Sequence, residues 1–520
     1  MISQSKPFFI FNRIKQMILK QFPEKQVFLE LALTANVIPV CKEILADMET
    51  PVSILQKFNT HDKESFLLES VEGGERWARY SFLGLSAFGS IKVFSKNVKI
   101  KTFDETRTID HHNDPLGVIR NFSRGFIPAQ IPELPRFWGG FTGYLTYEMV
   151  SFFEAVPVSL PDGMPYAHFI IPDEIIIFDN VRQTLTCLKI CYLKEGSDPE
   201  TIFRLAGDRL ENMLGTIQKP FVKKNQAQPE DVPFFESEVR AQDYIKGVET
   251  IKEHILEGDI FQAVYSQAFS CKTLIDPIQI YRAQRYINPS PYMFFMNFIN
   301  FVIAGSSPET MIRFENGIAT LRPIAGTKPR GRTEQEDRKL ADDLLNDEKE
   351  RAEHVMLIDL GRNDLGRVAE PGTVQVTDTM VVERYSHVMH LVSNITCDLK
   401  QGLDAYDLLK AVFPAGTLSG APKIRAMEII SSLENTPRRV YGGAAGYISF
   451  TGNMDFAITI RTAVMENGKL TVQAGAGIVY DSDPQNELME CMNKAKSVET
   501  ALQLALGSMS GGRLDVGCND

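Results

Sequence analysis

Gly442-Gly443-Ala444-Ala445-Gly446-Tyr447 repeats the pattern of an earlier hexapeptide, Gly139-Gly140-Phe141-Thr142-Gly143-Tyr144. Each hexapeptide stands at the start of a run of β-forming residues. Glycines at this spacing let two backbones approach closely or accommodate a β-bulge. The repeat therefore predicts that two distant parts of the chain contribute matching strands to stacked sheets; a chance similarity between the hexapeptides is the alternative.

The sequence on either side of these hexapeptides divides into a β-rich part and a mixed part. Short β-forming runs at 66–70, 91–94 and 174–178 are typical of the first part. In the second part, apolar residues recur at helical spacing over 243–257, and 485–506 has the Ala and Leu face of a C-terminal helix.

A polar, proline-containing segment at 218–233 has no apolar period, so it predicts a linker between the two parts. We therefore expect an N-terminal extension at 1–30, a first region at 31–217, a second region at 234–506 and a frayed tail at 507–520.

Composition limits the classes of function. The chain has 520 residues, 44% of them hydrophobic and 23% charged, which is typical of a soluble globular protein. A net charge of −11 argues against nucleic-acid binding, which needs a basic face. No apolar run is long enough to span a membrane. We expect a cytoplasmic protein with no nucleic-acid or membrane partner.

The cysteines are scattered and odd in number, which indicates a reducing compartment and no zinc site. They are Cys41, Cys187, Cys191, Cys271, Cys397, Cys491 and Cys518. None of them stands in the small-residue setting of a glutamine-hydrolysing nucleophile. The sequence also lacks a phosphate-binding loop, a dinucleotide fingerprint and a nucleophile elbow.

Three carboxylates are candidate ligands for a metal ion. Glu353 lies in a helical segment, and Glu487 and Glu490 are three residues apart on the predicted C-terminal helix, so they share one face. Carboxylates on two helices suit magnesium, a hard cation that prefers oxygen ligands. A solvated acidic face is the alternative.

A second group of residues has the chemistry to bind an anion. Gly475, Ala476 and Gly477 follow a β-forming run and present backbone N–H groups with little steric cover. Arg461 ends another apolar run, and its fork suits a carboxylate. A tight turn and an ion pair with a neighbouring acid are the alternatives.

Several longer strings resemble the chorismate-utilising enzymes, and within them the anthranilate synthase component I branch. The resemblance extends from about Phe66 to Ala501 and keeps the family's order. The strings are 305–309, 323–332, 358–365, 384–391, 416–423 and 473–479. The resemblance implies an α/β (α+β) fold, a sandwich of two large antiparallel sheets flanked by helices, in which the two sequence parts interweave.

Two positions separate the branches of this family. The resemblance places Gln262 where isochorismate and salicylate synthases have a water-activating lysine, and Ala325 where aminodeoxychorismate synthases have a nucleophilic lysine. Direct attack by ammonia is what remains. We therefore expect a lyase that forms anthranilate from chorismate, the first step of tryptophan biosynthesis; aminodeoxychorismate synthase component I and a catalytically silent tryptophan sensor are the alternatives.

The resemblance also implies roles for individual residues. The expected catalytic set contains a general acid, Glu309, support for pyruvate elimination from His390, and Thr417 and Gln262 near the reacting ring. The expected Mg²⁺ ligands are Glu353, Glu487 and Glu490. The expected chorismate-binding residues are Gly326, Thr327, Tyr441, Arg461, Gly475, Ala476 and Gly477. We expect burial or neighbouring carboxylates to raise the pKa of Glu309.

Regulation and assembly are further expectations from the resemblance. A tryptophan pocket for feedback inhibition is implied at Glu69, Ser70, Asn288, Pro291, Tyr292 and Met293. A separate glutamine amidotransferase subunit, anthranilate synthase component II, would supply ammonia in a heterotetramer with two copies of each subunit.

Overall fold

The computed structural model describes residues 18–58, 60–70, 79–220, 233–385 and 388–507. The first seventeen residues of the predicted extension, most of the predicted linker and the tail from 508 lie outside these ranges. Residues 18–31, by contrast, form a strand and a helix, and the strand pairs with residues 41–44.

Strands make up most of the first half of the chain and recur throughout the second. They are β1 (Ile18–Phe22), β2 (Val37–Leu45), β3 (Ser65–Glu69), β4 (Tyr80–Val93), β5 (Asn97–Thr102), β6 (Thr106–Asp110), β7 (Gly140–Leu145), β8 (Ala167–Asp179), β9 (Thr184–Tyr192), β10 (Glu236–Ser237), β11 (Gln262–Lys272), β12 (Tyr292–Asn297), β13 (Phe301–Ser307), β14 (Thr310–Glu315), β15 (Ile318–Leu321), β16 (Ile324–Pro329), β17 (Gln375–Arg384), β18 (Val388–Asp398), β19 (Gly420–Ala421), β20 (Ala444–Ser449), β21 (Met454–Ile458), β22 (Thr462–Glu466) and β23 (Lys469–Ile478).

Helices flank these strands. They are α1 (Lys25–Leu31), α2 (Pro51–Phe58), α3 (Pro115–Ser123), α4 (Pro199–Ile217), α5 (Ala241–Leu256), α6 (Pro277–Ile287), α7 (Glu334–Asn346), α8 (Glu348–Gly366), α9 (Ala405–Val412), α10 (Lys423–Leu433) and α11 (Pro484–Ala505), with short 3₁₀ turns at Tyr147–Phe152 and Gly416–Leu418. No helix in the described ranges is long and apolar enough to cross a membrane.

The two glycine-rich hexapeptides lie side by side. Strands β7 and β20 pair antiparallel, with Gly143 opposite Gly446 and Tyr144 opposite Ala445. A Cβ on Gly143 would stand 1.9 Å from the carbonyl oxygen of His168 on β8, so only glycine fits this contact. The repeat therefore joins the two sequence parts edge to edge, as neighbouring strands rather than facing ones.

All strand pairs named here are antiparallel, and the strands of the described residues form one hydrogen-bonded network. Strand β4 helps to hold it together because it pairs with β3 and β5 at its two ends and with β8 along its length. Its register shifts between Gly84 and Gly89 let it bend. The mixed α/β class with large antiparallel sheet is confirmed, and hydrogen bonding links the two sheets of the predicted sandwich.

Three large apolar clusters fill the interior. One packs α4, α5 and α11 against the sheet, and a second packs α3, α8 and α9 against it. The third is rich in aromatic side chains, including some from β3, β4, β7, β12 and β20. Each cluster draws residues from both sequence parts. The two parts therefore share their cores, and the site described below lies where β11, β23 and the loop before β20 meet.

Candidate active site

Helices α8 and α11 carry the predicted metal ligands. Asp347 accepts hydrogen bonds from the N–H groups of Lys349 and Glu350 and so starts α8 one turn before Glu353. On α11, the Oε2 atom of Glu487 is buried with no hydrogen-bond partner in the described residues. Burial and the nearby Glu490 raise the pKa of Glu487. The carboxyl group itself is half-buried, and a cation could use the unpaired oxygen.

A fourth carboxylate belongs to the same cluster. Glu350 lies one turn before Glu353 on α8, and burial followed by the charge of Glu353 raises its pKa. The predicted ligands Glu353, Glu487 and Glu490 do not converge to within 4.8 Å of one another. The structure therefore does not bring the three predicted ligands together as a closely spaced group. Among the described residues, the closely spaced group is instead His254, Glu257 and Asp259.

The predicted anion-binding glycines lie inside strand β23, so they form a regular strand and no tight turn. A Cβ on Gly475 would stand 2.9 Å from the Tyr441 hydroxyl, and one on Gly477 would stand 2.5 Å from Nε2 of Gln262. That Gln262 amide also donates to Glu353 across 3.4 Å. The glycines therefore let Tyr441 and Gln262 approach the strand backbone, and Gln262 connects it to the acidic cluster.

Glu309 precedes β14 and is only 8% exposed. Burial raises its pKa to about 8, and the Thr417 hydroxyl and the charge of Arg461 oppose this shift only in part. Glu309 and Thr417 line one cavity. A carboxyl group with this pKa is largely protonated at neutral pH, which is the form that a general acid requires. Burial, and not a neighbouring carboxylate, is the cause.

Arg461 stands at the end of an apolar stretch, in the strained left-handed region with φ of 49°. Its backbone carbonyl accepts hydrogen bonds from the Gln284 amide at 3.2 Å and the Ser306 N–H at 3.3 Å. In the part of the chain that the structure describes, its guanidinium forms no ion pair with an acidic side chain. The group is therefore available to an anionic ligand near Glu309.

Strand β16 bulges at Gly326, which has a φ of 61°. A Cβ there would stand 2.8 Å from Leu344 Cδ1 and 3.0 Å from Glu350 Oε2. Next to it, Thr327 Oγ1 lies 3.0 Å from Nδ1 of His390, and the Gly326 carbonyl oxygen lies 3.1 Å from the same nitrogen. The bulge thus brings together Gly326, Thr327 and His390 beside the acidic helix α8.

Most of the predicted tryptophan-pocket residues line one cavity. Strand β3 pairs with β12, so that Glu69 lies opposite Met293. Glu69, Ser70, Pro291, Tyr292 and Met293 all line the cavity. The two sequence parts therefore meet here. Asn288 is not a lining residue; its backbone carbonyl instead accepts from the hydroxyl groups of Ser306 and Ser290.

Sequence reasoning missed three residues of the site. Glu350 was detectable because it is three residues from Glu353 on a predicted helix. Lys494 was detectable by its i,i+4 spacing from Glu490; it donates to Glu490 Oε1 at 2.6 Å and to the Gly475 carbonyl at 3.3 Å. Arg438, the first of two adjacent arginines in a loop, has the same spacing from Glu434.

Comparison with known proteins agrees with this geometry. The family model described as "chorismate binding enzyme" matches residues 66–500. The chain is 46% identical over 496 residues to anthranilate synthase component 1 of Pseudomonas putida, which covers 92% of this chain and 98% of the relative. It is 44% identical over 491 residues to the protein of the same name in Aquifex aeolicus, covering 92% and 97%.

Solved structures show the same fold. Anthranilate synthase component I of Streptococcus pneumoniae superposes with a TM-score of 0.73 at 39% identity, covering 82% of this chain and 93% of that one. The menaquinone-specific isochorismate synthase of Escherichia coli superposes with a TM-score of 0.69 at 18% identity, covering 92% and 98%. The second likeness is one of fold alone.

Proposed function

The chain belongs to the chorismate-binding enzyme family, and from this premise we propose that it is an anthranilate synthase component 1 that aminates chorismate with ammonia and then eliminates pyruvate. The proposal rests on one observation: the site contains a buried acid, Glu309, and has no lysine at the two positions where related enzymes use one. Gln262 and Ala325 stand where other branches of the family have lysine.

Chorismate carries two carboxylates, and the site offers a separate group for each. Arg461 would bind the enolpyruvyl carboxylate through its fork. The backbone of Gly475 to Gly477 and the Tyr441 hydroxyl would bind the other, on the ring. Burial raises the pKa of Tyr441, so its phenol stays neutral and donates a hydrogen bond. Gly326 and Thr327 would line the ring.

Amination replaces the C4 hydroxyl by a nitrogen at C2. Ammonia adds at C2 and then loses a proton to solvent, both ring double bonds shift, and the C4–O bond breaks. Because hydroxide is a poor leaving group, Glu309 gives its proton to this oxygen, which departs as water. Removal of the C2 proton then breaks the C3–O bond and makes the ring aromatic, and the released enolate of pyruvate takes up a proton at its methylene carbon; we assign the support of this second step to His390.

Four carboxylates fit a magnesium ion because they are hard oxygen donors and fewer positive side chains than carboxylates lie near them. They belong to Glu350, Glu353, Glu487 and Glu490. When bound, the ion supplies charge neutralisation and orientation for the ring carboxylate. The residues themselves keep Gln262 and the glycine strand in place through the hydrogen bond from Gln262 to Glu353.

Three further parts of the proposal concern regulation and assembly. The cavity between β3 and β12 would bind tryptophan as a feedback inhibitor. The name "component 1" of the relatives implies a second component, which we propose is a glutamine amidotransferase that supplies ammonia in a heterotetramer. We place the complex in the cytoplasm, with 31–217 as the tryptophan-binding region and 234–506 as the catalytic region.

A product assay tests the proposal. The purified chain would be incubated with chorismate, Mg²⁺ and ammonium salt at mildly alkaline pH, and the product followed by chromatography and anthranilate fluorescence. We expect anthranilate with ammonium, none with glutamine, and less when tryptophan is added. A non-aromatic amino product would indicate the aminodeoxychorismate branch, and tryptophan binding without turnover would indicate a silent sensor.

A further inference from the structure

A buried ion pair anchors the loop that carries Tyr441. Arg438 is 3% exposed, and its partner Glu434 precedes it by four residues at the end of α10. The guanidinium donates from Nε to Glu434 Oε2 and from Nη2 to Oε1, each at 2.7 Å. Because burial of two charges costs free energy, such a pair persists only where good geometry and additional hydrogen bonds compensate.

The additional hydrogen bonds of Arg438 end beside residues of the candidate site. Nη1 donates to the carbonyl of Leu418 at 2.6 Å, and Nη2 donates to the carbonyl of Val264 at 2.6 Å. Leu418 follows Thr417 in the chain, and Val264 lies two residues after Gln262 on β11. One guanidinium therefore connects the Thr417 loop, strand β11 and its own loop.

Glu434 extends the network to the glycine strand. Its Oε1 accepts from the backbone N–H and from the hydroxyl of Ser266, both at 2.8 Å. Gln473 donates to the same hydroxyl at 2.9 Å. Ser266 lies opposite Gly475 in the β11–β23 ladder, and Gln473 precedes Gly475 by two residues. The ion pair thus also holds the strand that presents Gly475.

Aromatic contacts complete the surroundings of the guanidinium. The Arg438 guanidinium lies 4.5 Å from the ring centroid of Tyr147 and 5.7 Å from that of Tyr441. A cation over an aromatic face is attracted by the ring quadrupole, and the attraction increases when water is excluded. Tyr441 is therefore positioned by a contact to its ring as well as by the backbone of its loop.

We propose that Arg438, held by Glu434, is a positioning residue for the amination of chorismate: it sets Thr417, Tyr441 and the Gly475 strand in register without touching the substrate. This inference rests on the proposed function. It differs from an ordinary stabilising role in its consequence, because a shift of these groups by about 1 Å is enough to slow a reaction ~10²-fold in a folded protein.

The substitution Arg438→Lys tests the proposal. Lysine keeps the charge but has one nitrogen, which cannot make the four bonds that the fork makes to three partners. We expect kcat/KM for chorismate, with ammonium and Mg²⁺, to fall about 10²-fold, with both kcat and KM affected. Arg209→Lys is the control for a two-point ion pair outside the site, because Arg209 on α4 contacts both carboxylate oxygens of Glu174 on β8 and is more exposed than Arg438.

Two further variants separate positioning from folding. Arg438→Ala leaves a space that ethylguanidinium can fill, and we expect this additive to restore kcat in Arg438→Ala but to leave Arg438→Lys and the wild type unchanged. Ser266→Ala keeps the ion pair and removes one hydroxyl link, for which we expect about a 2- to 10-fold loss of kcat/KM in a protein that still folds, with a lower Tm because Glu434 and Gln473 each lose a hydrogen bond.

The outcomes are distinct. If the wild type is active and kcat/KM of Arg438→Lys lies within about threefold of the wild-type value, the positioning role is overturned. If the Arg438 variants fail to fold, a kcat/KM of Ser266→Ala equal to that of the wild type overturns it instead. Arg438 variants that lose Tm and yield, but keep wild-type kcat and KM per folded molecule, would also overturn it. A wild-type chain that forms no anthranilate would instead reject the proposed function.

Discussion

At the scale of single residues, Glu309 is the group to which we assign the proton transfer of the first chemical step. In Glu309→Gln the shape is kept but the proton donor is lost, so we expect kcat for amination to fall by about 10²–10⁴-fold. In the wild type, the acid form predominates below its pKa of about 8. At a fixed concentration of free ammonia, activity should therefore decline as pH rises through 8, as a pH–rate profile will show.

The same carboxyl group supplies a control that needs no turnover. Its pKa is raised from 4.5 to about 8 on folding, so between these values the native state binds the extra proton. Stability contributed by a group that holds its proton in the folded state decreases as pH increases through this window. Between pH 4.5 and 8, the free energy of unfolding should therefore decrease less in Glu309→Gln than in the wild type. An identical pH dependence of the two would contradict the assigned pKa.

The chemical roles of single residues were predictable where a sequence string resembled the family, and poorly predictable elsewhere. Glu309 stands in such a string, whereas Arg461 was singled out because it ends an apolar run. The structure places the two close enough for the charge of Arg461 to act on Glu309. Arg438 and Lys494 each have one partner four residues before them, Glu434 and Glu490, but their other partners are distant in sequence. Arg438 contacts residues 20 and 174 positions away, and spacing along a chain does not encode such contacts.

At the scale of elements, the bulge in β16 arranges the bond between Thr327 and His390. Gly326→Ala would place a Cβ 2.8 Å from Leu344 Cδ1 in a left-handed backbone conformation. We expect a loss of roughly 1–2 kcal/mol in the free energy of unfolding from the conformation alone. We also expect reduced anthranilate formation, because the clash moves the strand that carries Thr327; urea unfolding and the product assay measure the two effects.

Gly452→Ala is the matched control for this element. Gly452 also has a positive φ, 87°, but nothing lies within 4 Å of the position of its Cβ. Gly452→Ala should therefore lower the free energy of unfolding by a similar amount, while kcat and KM stay at the wild-type values. Equal losses of activity per folded molecule in both variants would mean that the bulge has no part in the chemistry.

Element positions followed from local pattern more closely than their lengths did. The predicted helices at 243–257 and 485–506 are α5, Ala241–Leu256, and α11, Pro484–Ala505. The predicted strand at 174–178 is only the end of β8, Ala167–Asp179. All thirteen residues of β8 are buried, including Asp173 and Glu174, so polar residues within the strand concealed its true length.

At the scale of the whole molecule, the two sequence parts are joined by pairings between distant strands. Strand β3 pairs with β12 and β7 pairs with β20, and both pairs cross the predicted linker. Alternation and turn residues do not specify which distant strand is the neighbour, so these pairings were expected only through the resemblance and, for β7 and β20, through the repeated hexapeptide. Because of them, a ligand between β3 and β12 contacts both parts.

If the cavity binds tryptophan as proposed, this architecture gives the ligand a physical route to Glu309. Tyr292, in the wall of the cavity, donates from its hydroxyl to Asp455 at 2.9 Å, and the same oxygen lies 3.1 Å from Thr310 Oγ1. Thr310 follows Glu309 in the chain. A ligand that shifts the Tyr292 ring therefore acts on the segment that holds the general acid, provided that its affinity differs between two arrangements of this segment.

Tyr292→Phe removes this hydroxyl and leaves the wall of the cavity intact. We expect tryptophan still to raise the Tm, while the factor by which it weakens chorismate binding falls by about 2- to 30-fold. Because coupling is reciprocal, chorismate should weaken tryptophan binding by the same reduced factor, which calorimetric titration measures without turnover. Tyr80→Phe is the control, since Tyr80 lines the same cavity on β4; equal coupling in the wild type and both variants would exclude the route through Thr310.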